Sequence, residues 1–194
     1  MRSIVRLTAL AAGVLAATGA QAHVGVEPHI HGDLIAGALH PLTGPDHIAA
    51  MVAVGLWAAA LGGRAIWAVP AAFVSVLAFG AVLGVMGVAL PAVEPMIAVS
   101  VIALGLLTAF AVRVPMPAAA ALVGFFALFH GHAHGAEMPS MANPMLYGLG
   151  FVVATALLHG AGLGLGLVAG RTTGVLARVA GAAVAVFGVV LAAG

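Results

Sequence analysis

Read from its N-terminus, the chain is a succession of long apolar runs separated by short clusters of Pro, Gly and isolated charges. A helix needs about 20 apolar residues to cross a bilayer, and Gly and Pro punctuate such runs. On that basis helices are expected at about 46–62, 65–90, 94–112, 116–134, 144–169 and 174–193. The stretch 33–45 is apolar but interrupted by Pro41, Gly44 and Pro45, and reads as a half-helix or re-entrant segment feeding the first span. Broken backbone of this kind is tolerated at membrane depth only where protein or a water-filled cavity satisfies it. The first residues follow another pattern. Arg2 and Arg6, the apolar run Leu7 to Ala17 and the Ala20-Gln21-Ala22 site are laid out as a secretory signal peptide cleaved after Ala22. An uncleaved anchor helix is the alternative, and the A-x-A site argues against it. The predicted organisation is a signal peptide (1–22), a His-rich segment with a half-helix (23–45) and a transmembrane domain (46–194). The fold class is all-α, a polytopic membrane bundle of six transmembrane helices.

Composition narrows the function. Of the 194 residues, 64% are hydrophobic and 6% charged, and the mean hydropathy is +1.25. Soluble domains carry about 25% charged residues, so a soluble enzyme, a nucleic-acid binder and a disordered tail are excluded together. Six Arg and no Lys stand against five acids, which leaves no basic patch for phosphates. The absence of Cys excludes disulfides, thiolate metal sites and cysteine nucleophiles. Nine histidines remain, in a chain poor in every other polar group.

Charge also orients the spans. Arg64 follows span one, Arg113 follows span three, and Arg171 and Arg178 bracket the link from span five to span six. The opposite connections contain no Arg. By the positive-inside rule the arginines face the cytoplasm and both mature ends face the periplasm, in keeping with an exported N-terminus. His23, Glu27, His29, His31, Asp33, His40, Asp46 and His47 then lie outside or at the outer start of span one. Glu94 lies at the outer start of span three, and His130, His132, His134 and Glu137 at the outer end of span four. Only His159 sits well inside a span. Ordinary membrane anchoring does not segregate charge this way; an exoplasmic cation site does.

Three constellations carry candidate chemistry. In His40-Pro-x-x-Gly-x-Asp46-His47 the prolines stiffen a turn in which Gly44 can take positive φ, folding His40 toward Asp46 and His47. Imidazole and carboxylate suit borderline divalent metals. The plainer alternative is that Asp46 caps span one, which explains neither histidine. A helix N-terminus also disfavours a cation, and the carboxylate has to offset that. In the second block, His130, His134 and Glu137 follow i, i+4, i+7 spacing and share a face if span four continues that far. Histidines at i, i+4 are a chelating geometry, while His132 points elsewhere and serves the mouth. A solvated His-rich loop is the alternative. The third block is the mature N-terminus, where the α-amine and imidazole of His23, with His29 and His31, can capture an ion or simply form a polar leader. His159 is costly inside a span, and such residues are usually functional. Glu94 is a candidate ligand or an outer-loop carboxylate. Gly80, Gly84, Gly162, Gly166 and Gly170 have the small-xxx-small spacing of close helix packing and need no ligand.

The His40-to-His47 block, the Ile-Ala-Ala-Met-Val-Ala-Val-Gly-Leu-Trp run after it and the Phe129-His-Gly-His-Ala-His134-Gly-Ala-Glu137 block resemble the HupE/UreJ family over essentially the whole chain. The resemblance implies nickel, sometimes cobalt, permeation serving hydrogenase or urease maturation. It also implies functional roles for His40, Asp46, His134 and Glu137, with Glu94 as the mid-chain acid.

The expected activity is passive or ion-coupled uptake of a divalent metal, Ni²⁺ first and Co²⁺ next. The N-terminal histidines capture the ion, the six residues His40, Asp46, His47, His130, His134 and Glu137 replace part of its water shell, and His159 relays it inward. Ligand chemistry alone suits Ni²⁺, Co²⁺ or Zn²⁺; the resemblance selects nickel. No covalent cofactor is expected, since the metal is the transported substrate. No P-loop is present to power transport. The expected partners are the metal ion and the lipid bilayer, with no nucleic acid, and a homo-oligomer stays open. Two other classes stand beside this one: an intramembrane zinc-dependent hydrolase, and a metal-binding partner protein that transports nothing.

Overall fold

The computed structural model describes residues 30–170 and 174–193. The expected signal peptide, His23, His29 and Arg171 lie outside the described residues, and His31 is described only as helix backbone. Among the described residues seven helices follow in order: α1 (Ile30–Thr43), α2 (Pro45–Leu61), α3 (Ala65–Val85), α4 (Val93–Ala109), α5 (Met116–Ala136), α6 (Pro144–Gly170) and α7 (Val175–Ala193). No strand occurs among the described residues. By length and composition α3, α5, α6 and α7 can each cross a membrane; α4 is a shorter apolar helix of 17 residues.

The interrupted stretch before span one is helical on both sides of its break. α1 and α2 form a bent pair with 83° between them. Gly44 caps α2 and Pro45 opens it, as a residue without an N–H can do where that donor is unpaired anyway. α1 lies across one end of α6. Asp33 accepts the Asn143 N–H at 3.0 Å, Gly37 meets the Tyr147 backbone and Gly150 meets the Leu34 backbone. α3 stops five residues short of the expected boundary, because Gly87 (φ 69°) turns the chain before Pro91. α5 runs two residues past its expected end, to Ala136, and so keeps the second His block helical.

Backbone contact at glycine decides which helices pair. Gly80 and Gly84 of α3 face the backbone at Leu128 and His132 of α5, while Gly131 and Gly135 of α5 face Leu77 and Ala81 of α3. Gly55 and Gly162 join α2 to α6, and Gly105 and Gly181 join α4 to α7. Without a hydrophobic drive between helices in lipid, such close approach supplies the van der Waals contact. Of the glycines assigned to packing from spacing alone, Gly80, Gly84, Gly162 and Gly166 lie at contacts and Gly170 faces open space. α2 is the central element, with Met51, Val54 and Trp57 fully buried. Polar groups at the arginine end are paired: Trp57 Nε1 donates to the Val112 carbonyl at 2.9 Å and Arg178 Nε to the Ala109 carbonyl at 2.9 Å.

The alternating chain direction collects the connections rich in His and acids at one end of the bundle and Arg64, Arg113 and Arg178 at the other. The glycine pairing is testable. Gly131→Val puts side-chain carbon against the Leu77 carbonyl and should destabilise the purified protein by about 1–3 kcal/mol, as overpacking does. Gly164→Ala, at a position with open space, should leave the thermal midpoint in detergent unchanged or slightly raised.

Candidate metal site

Four helix ends meet at the histidine end and enclose a cavity of 190 Å³. It is lined by His40 and Thr43 of α1, Asp46 and His47 of α2, Glu94 and Ile97 of α4, and His134 with Glu137 at the end of α5. The helix dipoles are matched to their residues. Asp46 and Glu94 stand in the first turns of α2 and α4, and His40 and His134 in the last turns of α1 and α5. Carboxylates meet the positive N-termini, and the C-terminal carbonyls themselves favour a cation. The tension expected for a cation at the start of α2 is thereby offset by the ends of α1 and α5.

His40, His134 and Glu137 form the outermost group. Each offers one ligand atom, and those atoms lie within 4.8 Å of one another. His40 Nε2 donates to Glu137 Oε2 at 3.2 Å, where Glu137 is half exposed and His40 largely shielded. His134 is buried, with both ring nitrogens unpartnered. His40 and Glu137, 97 positions apart in the chain, are brought together because α5 stays helical through the His-Gly-His-Ala-His run, its glycines seated on α3.

One helical turn deeper lie His47 and His130. The His47 ring centroid is 3.9 Å from that of His134 and 4.9 Å from that of His130. Hydrogen bonds fix which nitrogen of each ring is free. His47 Nδ1–H donates to Asp46 Oδ1 at 3.0 Å, and its buried Nε2 has no partner. Asp46 is not the helix cap; Gly44 is. Its carboxylate instead orients an imidazole, the arrangement by which carboxylates set the tautomer of metal-binding histidines. His130 is fully buried. Ser100 Oγ donates its one proton to the Ile97 carbonyl at 2.6 Å and so must accept from His130 Nε2–H at 2.7 Å. His130 Nδ1 then carries the lone pair, and it is unpartnered.

Of the remaining expected residues, Glu94 lines the cavity, and His132 and His159 do not. His132 is turned away from this group, its Nε2 donating to the Val88 carbonyl at 2.6 Å, where it ties the α3–α4 loop to α5. Glu94 faces the cavity from α4 and is exposed. His159 lies deeper, on α6, with Phe73 between it and His130: ring centroids are 5.0 Å from Phe73 to His159 and 5.9 Å to His130. Sequence reasoning missed Ser100 and Phe73. Ser100 was signalled only as a rare hydroxyl in an apolar run, and Phe73 carried no signal, because an aromatic in such a run reads as packing.

The arrangement offers imidazole nitrogen and carboxylate oxygen donors in one cavity, a donor set suited to a borderline divalent ion. Co²⁺ titration of the purified protein checks it. His134→Ala and Glu137→Ala should each weaken binding at least about tenfold, the loss typical of a disrupted metal site. His132→Ala should leave affinity within about twofold. Ser100→Ala frees the His130 ring to change tautomer and should weaken binding several-fold, with Ser100→Thr restoring it.

Comparison with known proteins identifies the family. The family model described as HupE / UreJ protein matches residues 10–191. The chain is 53% identical over 190 residues to "Protein HupE" of Rhizobium leguminosarum bv. viciae, covering 97% of this chain and 98% of that one. No solved structure matches the chain significantly. A family match over nearly the full length, together with a relative of that identity, places the chain in the HupE/UreJ family.

Proposed function

We propose that this protein carries a divalent transition-metal ion, Ni²⁺ first and Co²⁺ next, from the periplasm to the cytoplasm across the bacterial inner membrane. The observation that carries the reading is the group His40, His134 and Glu137 at the mouth of a largely apolar bundle, backed by His47 and His130, each with one buried, unpartnered nitrogen. The bent α1–α2 pair counts as the first of six spans and α4 as the third, following a signal peptide removed after Ala22. The arginine end faces the cytoplasm by the positive-inside rule, which puts the cavity and both mature ends in the periplasm.

Desolvation supplies the mechanism. A divalent ion loses a large solvation energy on leaving water and needs ligands in return. His23, His29 and His31 gather the hydrated ion at the surface. Exchange begins at the half-exposed Glu137 and His40, continues at His134, and passes to Nε2 of His47 and Nδ1 of His130, each step exchanging water or oxygen for nitrogen. His134 suits a transfer role because its ring stands 4.7 Å from His40 on one side and 3.9 Å from His47 on the other. Conduction requires that no site hold the ion too firmly, and the half-open mouth meets that requirement. Family membership favours an accessory or transport role over an enzyme. The nickel preference rests on the resemblance, since the ligands alone admit Ni²⁺, Co²⁺ and Zn²⁺.

Proteoliposomes that contain a metal-sensing dye test this reading. The wild type should admit Ni²⁺ or Co²⁺, and His40→Ala or Asp46→Ala should abolish the flux while the protein still inserts. Protons and metal compete for the same imidazole lone pairs, so uptake should fall as external pH drops below about 6. Wild-type protein that binds metal yet moves none inward would leave the non-transporting partner reading in its place. Hydrolysis of a lipid or peptide that is lost on chelation would favour the zinc hydrolase.

A further inference from the structure

Below Phe73 the bundle holds a second polar feature that the mouth does not use. A cavity of 320 Å³ lies in the seam between α3 and α6, lined by Ile66, Pro70, Val74, Ala156, His159 and Leu163 among others. His159 is 2% exposed, and neither of its ring nitrogens has a partner. Pro70 sits inside α3 and has no N–H to give, so the carbonyl of Ile66, four residues earlier, loses its helical partner. Ile66 and Pro70 line the same cavity as the imidazole. A carbonyl that lacks its usual helical donor and an unpartnered imidazole thus belong to residues that line one pocket, whose wall is otherwise apolar. Leaving both unsatisfied in a membrane interior is costly, and a cation bound between them removes both costs.

From this juxtaposition we infer that His159 and the Ile66 carbonyl form a second, inner cation site, a way-station for a partly hydrated divalent transition metal on the arginine side of Phe73. The inference rests on the transport reading for its role, though not for its existence. Its position follows from helix geometry. Pro70 is the sixth residue of α3, about 8 Å along the helix from the end that carries Arg64. The site holds fewer protein ligands than the mouth and no carboxylate among its lining residues. Fewer ligands and no carboxylate make for weaker binding than at the mouth, which is what an exit step needs. Phe73, fully buried between His130 and His159, keeps the two sites apart, so that an ion held above is not continuously connected to the one below. Proline also acquires a reason: it supplies an oxygen ligand from backbone where no polar side chain stands.

The test is a Co²⁺ titration of the full-length protein in detergent micelles, labelled with ¹⁵N at histidine and followed by paramagnetic shifts. His159 signals should respond to Co²⁺ in the wild type, at higher concentration than those of His40 and His134. Pro70→Ala restores an N–H to the Ile66 carbonyl and is benign to a helix. It should raise the Co²⁺ concentration needed at His159 about fivefold, the loss of one such contact, while the mouth signals keep their midpoint. In proteoliposomes, His159→Ala should lower Ni²⁺ influx about tenfold with Co²⁺ binding at the mouth unchanged. The inference is overturned if His159 never responds to Co²⁺, if Pro70→Ala leaves its midpoint in place, or if His159→Ala transports normally. The two readings fail separately. A wild type that moves no Ni²⁺ while His159 still senses Co²⁺ defeats transport and keeps the site; a transporting wild type with a silent His159 does the reverse.

Discussion

Holding an imidazole nitrogen in an apolar interior with nothing to bond to is the interaction on which the rest of this structure turns. Each such buried, unpartnered group costs about 1–3 kcal/mol. Among the described residues the chain bears that cost at His47, His130, His132, His134 and His159. Of the other polar groups in the bundle, Trp57, Thr108 and Arg178 reach backbone carbonyls, while the Tyr147 and Thr155 hydroxyls are buried without a partner as the imidazoles are. The orphaned nitrogens are also ordered in space. Apart from His132, they run from the mouth through His134, His47 and His130 toward His159. On the transport reading proposed above, such a series would serve as a ligand path, and the hydrogen bonds of Asp46 and Ser100 fix the tautomers of two of its members.

The backbone makes room for this. α3 and α5 touch through Gly80, Gly84, Gly131 and Gly135, so the helix that carries three histidines can be pressed against a neighbour without bulky side chains between them. The same contact leaves the neighbouring face of α5, about 100° round the helix, free to set His130 and His134 against His47 of α2. The 83° bend at Gly44 turns one stretch of chain into two helix ends, one offering His40 and the other Asp46 and His47. Packing and site thus share a cause: small residues bring the helices close, and the polar groups occupy what space remains.

Much of this was legible in the residues. Periodicity and punctuation located the helices, and the broken stretch 33–45 announced the bend through Pro41, Gly44 and Pro45. The i, i+4, i+7 spacing of His130, His134 and Glu137 placed them on one face once α5 proved helical to Ala136. Other features were hidden for physical reasons. Ser100 matters through a proton it gives to Ile97 and one it accepts from His130, and that depends on α4 packing beside α5, which no local pattern encodes. That His132 turns away from its neighbours was expected, since a helix rotates it by 100° per residue; what the residues did not show is that it bonds to the Val88 carbonyl rather than serving the mouth. Asp46 reads locally as a cap because Asp so often is one; Gly44 takes that place and releases the carboxylate to His47.

The most direct test of the central claim is anomalous diffraction from crystals soaked in Ni²⁺ or Co²⁺, collected at the metal edge. The account predicts a peak at about 2.1 Å, the usual metal–nitrogen distance, from nitrogens of His40 and His134, with Glu137 oxygen completing the group. A metal-loaded protein whose only peaks lie on exposed surface, away from that cavity, would contradict it.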